Sequence, residues 1–260
     1  MSAAEPQSLF DMSGKVALIT GSSRGIGRAI AEAMAAQGAR VVISSRNQGK
    51  CEEVAAAINS ARGDGTAIAI AASISSKPAL EELVAQALAR LGRIDVLVCN
   101  AASNPYFGPM SGISDEQFRK VLDNNVLSNH WLIQLVLPGM IERRDGAIIV
   151  VSSIGGLRGS ATLGAYSISK AADLQLVRNL AVEVGQHNIR VNAIAPGLIK
   201  TDFAKALWDN PESEARFNSS HPMRRIGMPV ELAGAAVYFA SRAGSYTNGQ
   251  TLVVDGGTLS

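Results

Sequence analysis

A chain of 260 residues, 47% hydrophobic and 18% charged with a formal net charge of +2, is long enough to bury one substantial core. Its composition excludes a disordered or fibrous protein. Basic residues are interspersed with acidic ones, so neither nucleic acid nor an anionic membrane is an expected partner, and a small molecule is. Cys51 and Cys99 sit in no metal-ligand spacing or disulfide framework. Met1 to Gly14 lacks a basic segment followed by an apolar one, and no apolar run approaches the ~18 residues of a membrane span. The expectation is a cytoplasmic chain with reduced thiols, no membrane anchor and no metal.

Short apolar runs rich in Val and Ile recur at Val16 to Thr20, Val41 to Ser44, Ala67 to Ala71, Val96 to Cys99, Ala147 to Val151, Val191 to Ile194 and Leu252 to Val254. They are continuous and bounded by Gly, Asp or Ser, as strands covered on both faces are. Helical spacing falls between them at Arg28 to Gln37, Cys51 to Asn59, Leu80 to Leu91, Leu174 to Val184 and Leu232 to Ala240. Gly38 stops the first helix, and Ser114 to Gln117 reads as a capping box opening another. This alternation predicts an α/β fold, a doubly wound parallel sheet with helices on both faces. One domain, 14–260, is expected after an N-terminal extension, 1–13. The least regular stretch, 200–228, is placed to cover a ligand beyond a strand's carboxyl end.

Thr20 to Gly27 follows the first strand and opens the first helix, with glycines at Gly21, Gly25 and Gly27 around Ser23, Arg24 and Ile26. Glycines there let the backbone approach a pyrophosphate, which the free amides and the positive end of the helix dipole favour. The spacing is Gly-x-x-x-Gly-x-Gly, and a tight loop is the bland alternative. The second strand ends in Ser45-Arg46-Asn47 without a carboxylate. An acid there would bind a ribose 2′-hydroxyl and repel a 2′-phosphate, whereas Arg46, with Arg24 nearby, offers its planar fork to that phosphate. NADP(H) is therefore the expected cofactor.

Tyr166 and Lys170 stand four apart where a helix begins, on one face. A nearby ammonium favours the phenolate, which makes Tyr166 a candidate proton donor or acceptor. Ser153 follows the fifth strand at the end where α/β sites form, with Ser152 as its competitor. The glycine turn, Asn100-Ala101-Ala102, Asn125, Ser153, Tyr166, Lys170 and Pro196-Gly197, in this order, resemble the short-chain dehydrogenase/reductase family from about residue 13 onward, most closely its NADP-dependent carbonyl reductases.

That resemblance implies a single-domain Rossmann-like sheet of seven strands and a homotetramer. It implies that Ser153 orients and polarises a carbonyl, and that Tyr166 is the general acid in reduction and the base in oxidation. Lys170 would hold the nicotinamide ribose and favour the ionised tyrosine; Asn125, with Asn124 as the alternative, would anchor a water in proton relay. Pro196, Gly197, Ile199 and Thr201 would contact the nicotinamide amide and the phosphates. The family's usual Asn-Ala-Gly is Asn100-Ala101-Ala102 here, and Ser73 with Ile74 stands where an Asp commonly meets the adenine.

Asn104, Tyr106, Phe107, Leu157, Leu163, Phe203, Leu207 and Trp208 are the expected substrate pocket, largely apolar, which points to a hydrophobic carbonyl or secondary alcohol. Packing within a lid is the competing role for them. Two other activities stay open. One is reduction of a 3-oxoacyl thioester, which would call for a basic docking patch at Arg143 and Arg144 or Arg224 and Arg225. The other is a non-catalytic NADP-binding scaffold, which would have no need of Ser153, Tyr166 and Lys170 together.

Overall fold

The structure, a computed structural model, describes residues 9–260. The first eight residues of the expected extension lie outside it. Strands β1 (Val16–Thr20), β2 (Arg40–Ser44), β3 (Ala67–Ala69), β4 (Val96–Cys99), β5 (Gly146–Val151), β6 (Ile189–Pro196) and β7 (Thr251–Val254) form one sheet in the order β3-β2-β1-β4-β5-β6-β7. All six pairings are parallel. β3 is two residues shorter than its apolar run; past its end the Ile70 and Ala72 amides still donate to the Ile43 and Ser45 carbonyls, both at 3.0 Å, while the Ala71 amide on the open edge donates to Gln48 Oε1 at 2.8 Å.

Among the described residues eight α-helices connect the strands: α1 (Gly25–Ala36), α2 (Gln48–Arg62), α3 (Lys77–Leu91), α4 (Asp115–Leu122), α5 (Ser128–Arg143), α6 (Gly164–Val184), α7 (Pro211–Ser220) and α8 (Val230–Ala240). Those on α1, α2 and α8 pack Ile30, Met34, Cys51, Val54, Leu232 and Phe239 on one face of the sheet. Leu80, Leu83, Leu132, Val136, Leu174 and Val177 of α3, α5 and α6 join Cys99 on the other. Both faces of β1, β4 and β5 are thereby covered, which is why these strands read as unbroken apolar runs.

Local chemistry sets several helix ends. The Ser114 hydroxyl accepts from the Gln117 amide at 3.2 Å while the Gln117 side chain accepts from the Ser114 amide at 3.2 Å, the reciprocal box expected for α4. Two helices, α5 and α7, fall outside the stretches whose spacing predicted a helix. α5 carries Pro138 and opens on buried Ser128 and Asn129; α7, inside 200–228, rests on an Asn210 cap and Pro211 in its first turn. Between α4 and α5 lies a π-helical turn, Asp123–Leu127.

Chain order reverses between β1 and β4: β2 lies on one side of β1, β4 on the other. In an open parallel sheet this switch point opens a crevice at the strands' carboxyl ends.

Candidate active site

The glycine turn occupies that crevice. Gly21 has φ +65°, and a Cβ on Gly27 would lie 2.5 Å from Asn100 Nδ2 and 2.6 Å from the Gly21 carbonyl, so only glycine fits both places. Asn100 Nδ2 donates to the Thr20 carbonyl at 2.8 Å, and Thr20 Oγ1 accepts from the Asn100 and Ala101 amides at 3.0 and 3.1 Å. The ends of β1 and β4 are thus locked together. Ser22 Oγ ties in β2 by accepting from the Ser44 amide at 2.9 Å.

α1 opens with Arg24 at its N-cap, no side chain capping it and no acid in its first turn. Its leading amides therefore offer their partial positive charge to an anion rather than to the protein. At the end of β2, Arg46 is exposed and borders the same cleft, and among the described residues it makes no ion pair to an acid. Arg24 Nη1 meets Asp202 Oδ2 at 3.0 Å, a bridge between the turn and 200–228. This donor set fits the phosphates of a dinucleotide.

The proton-transfer residues gather across the cleft. Ser152 is 3% exposed and donates its hydroxyl to the Lys170 carbonyl at 2.8 Å. Ser153, half-buried on the cleft wall, accepts from the Gly155 amide at 3.0 Å and keeps its own proton to donate. Tyr166 lies near Phe203 with ring centroids 5.9 Å apart. The Lys170 ammonium is 5.8 Å from the Tyr166 ring centroid, 2% exposed, and donates to the Val151 carbonyl at 2.9 Å and to Asp173 Oδ2 at 3.0 Å. Burial pulls the lysine down, but the charge of Asp173, the phenol of Tyr166 and the hydrogen bond to Asp173 outweigh it and hold Lys170 above its ordinary range.

Asn125 lies in the π-helical turn, fully buried behind the wall. Its amide donates to the Ser103 carbonyl and to Ser169 Oγ, both at 3.0 Å, and its Oδ1 accepts from the Ser103 amide at 2.7 Å. Ser169 Oγ donates in turn to the Tyr166 carbonyl at 2.7 Å, which makes Asn125 a brace between the β4 loop and α6. Asn124 borders the cleft and donates to Ser103 Oγ at 3.0 Å.

A cleft of about 1210 Å³ takes in every expected cofactor residue except Gly27 and Ser73, together with Ser153, Tyr166, Lys170, Asn104, Phe107, Leu163, Phe203 and Leu207. Tyr106, Leu157 and Trp208 do not line it. The Tyr106 hydroxyl is turned onto the Pro109 carbonyl at 2.9 Å, Leu157 is on the outer surface, and the Trp208 indole donates to the Thr201 carbonyl at 3.3 Å. α7 contributes Phe217, with His221 just beyond it, and neither was anticipated. Among the described residues no three His, Cys, Asp or Glu side chains converge as a metal site would require.

The family model described as enoyl-(acyl carrier protein) reductase matches residues 21–258. Dehydrogenase/reductase SDR family member 4 of Bos taurus is 40% identical over 247 residues, covering 95% of this chain and 88% of that protein. The chain belongs to the short-chain dehydrogenase/reductase family. It is therefore an oxidoreductase. The solved structure of a 7α-hydroxysteroid dehydrogenase with NADH and 7-oxo glycochenodeoxycholic acid matches with a TM-score of 0.92 at 37% identity, over 98% of both chains. That of a gluconate 5-dehydrogenase from Burkholderia cenocepacia with NADP and tartrate gives 0.91 at 30%, over 97% of this chain and 98% of that one. Members of the short-chain dehydrogenase/reductase family thus hold either dinucleotide. Asn129 and Asp173, buried behind Lys170, had one signal in the sequence: Asp173 stands one helical turn after the lysine.

Proposed function

We propose that this chain is an NADP(H)-dependent carbonyl reductase, or in reverse a secondary-alcohol dehydrogenase, with Tyr166 as its general acid and base. The observation that carries the reading is the meeting of Ser153, Tyr166 and a buried, charged Lys170 in the cleft that also holds the phosphate-binding turn. The nicotinamide, when bound, supplies or takes the hydride. Tyr166 Oη gives its proton to the substrate oxygen in reduction and takes it back in oxidation, while Ser153 Oγ donates a hydrogen bond to that oxygen. Lys170 stabilises the phenolate left behind and is placed to hold the nicotinamide ribose. Asn125 braces the loop and helix that carry these groups.

Arg46, with Arg24, favours the 2′-phosphate of NADP(H), since the end of β2 carries no carboxylate to oppose it. Phe107, Leu163, Phe203 and Leu207 favour an apolar carbonyl compound. The segment 200–228 covers it, latched to the turn by Asp202. The thioester alternative is less well supported because its docking arginines are engaged within the chain. Arg143 donates to the Ile94 carbonyl at 2.7 Å, Arg144 to that of Gln186 at 2.9 Å, Arg224 to that of Ser219, and Arg225 pairs with Glu231. Two free, buried cysteines accord with a cytoplasmic location, and a homotetramer is the expected assembly.

Consumption of NADPH with a panel of ketones and aldehydes tests the reading. Tyr166→Phe should lower turnover by about 100-fold or more while NADPH binding, followed by fluorescence, persists. Undiminished turnover would show that Tyr166 is not the proton donor.

A further inference from the structure

Behind the cleft lies a carboxylate that the proton-transfer scheme leaves unused. Asp173 is 0% exposed on α6 and both of its oxygens are engaged. Oδ2 receives Lys170 Nζ at 3.0 Å, and Oδ1 receives Asn129 Nδ2 at 3.0 Å. The same Asn129 amide also donates to the Asn125 carbonyl at 2.6 Å, so hydrogen bonds run without a break from the π-helical turn to the lysine. An ammonium has three N–H donors. Asp173 and the Val151 carbonyl take two of them, which leaves one for the cleft that Lys170 borders.

A lone ammonium stripped of water by burial reverts to the neutral amine. A carboxylate at hydrogen-bond distance reverses that balance. A buried Lys–Asp pair elsewhere in a core would bear only on folding, but this one shares its cation with the tyrosine that moves the proton. We propose that Asp173 is a positioning residue for the reaction: oriented by Asn129, its carboxylate anchors the Lys170 ammonium beside Tyr166, keeps it charged, and leaves its third N–H to the cleft. This rests on the proton-transfer roles assigned above to Tyr166 and Lys170.

The titratable groups facing Lys170 are Tyr166 and Asp173 from its own helix and the Cys99 thiol from β4. Burial first, then the charge of Asp173, pushes Cys99 well above its ordinary range, so it stays neutral. Burial raises the Asp173 carboxyl, and the Lys170 charge with the hydrogen bonds from Lys170 and Asn129 opposes that rise; held by these partners, Asp173 is the carboxylate facing Lys170 that can sustain its charge while Tyr166 is protonated. Without it, burial governs Lys170, the charge is lost, and the Tyr166 phenolate loses its stabilising cation.

The test is Asp173→Asn in the full-length protein, read in two ways. One is the pH profile of kcat for NADP-linked oxidation of the secondary alcohol that turns over fastest. The other, independent of activity, is the tyrosinate absorbance titration of the cofactor-free protein, with Tyr166→Phe subtracting the remaining tyrosines. The expected result is a tenfold or so loss of kcat, with the alkaline-rising limb and the Tyr166 titration both displaced upward by about one pH unit. If Tm falls while both curves stay in place, the role is structural and the proposal is overturned. If Asp173→Asn does not fold, Asn129→Leu, which keeps the carboxylate but frees Oδ1, should shift both curves the same way by less; no shift overturns the proposal. Retained turnover in Tyr166→Phe would instead overturn the underlying assignment, a result distinct from a silent Asp173.

Discussion

Arg46 is where the selection between the two dinucleotides should be most easily changed. Its fork is exposed on the cleft and committed to no acid, so Arg46→Asp both removes a charge-assisted contact and installs a repulsive one. The Kd for NADPH should rise by about 10- to 100-fold and that for NADH change far less, as fluorescence titration would show. Ser153 should behave differently: Ser153→Ala lowers kcat with little change in cofactor affinity. The sequence left Ser152 and Ser153 open because both follow β5, and adjacent residues of an extended chain face opposite ways. The fold separates them by committing Ser152 to the Lys170 carbonyl. Tyr166 and Lys170 were legible because a helix turn is a fixed ruler. Asp173 lies on that ruler too, yet an Asp three residues after a Lys reads as an ordinary surface pair until burial is known.

At the scale of elements, the π-helical turn explains what spacing alone left undecided. A 3.6-residue period assigns faces only along an uninterrupted α-helix, and the extra residue between α4 and α5 turns Asn124 to the cleft and Asn125 into the core. The 200–228 segment was legible as irregular and as placed over a ligand site. Its helix α7 and the contribution of Phe217 were not, since short helices held by caps leave no apolar period. The segment's far end is fixed by Glu231, which accepts from Arg225 at 2.6 and 2.7 Å and from the Met228 amide at 2.8 Å. The Arg225 hydrogen bonds, with that amide, bring the carboxyl from its ordinary 4.5 down to about 2. A carboxyl lowered on folding stabilises fully above its unfolded value and loses that contribution as protons bind, here between about pH 4.5 and 2. Glu231→Gln should therefore speed proteolysis within 222–231 at neutral pH and flatten the segment's acid response over that window. Because the pair is exposed, high salt should reduce the difference.

For the whole molecule, the alternation of apolar runs with helical spacing was enough to yield the parallel, two-faced sheet, because burial on both sides writes itself into composition. Strand order and the crevice at β1 and β4 come from pairing across long separations, which no local pattern encodes. β7 ends the sheet with Leu252 and Val253, 40% and 38% exposed, an apolar edge that a monomer would leave wet. If a homotetramer covers it, Leu252→Glu with Val253→Glu should yield a smaller species by light scattering, with the fold retained by circular dichroism. The two cysteines offer a further use. Cys51 is buried in the layer of α1, α2 and α8, and Cys99 in the layer of α3, α5 and α6. Each half of the molecule thus carries its own natural clock: the rate at which a thiol reagent marks one sulfur or the other times the separate opening of the two layers, without any label having to be introduced.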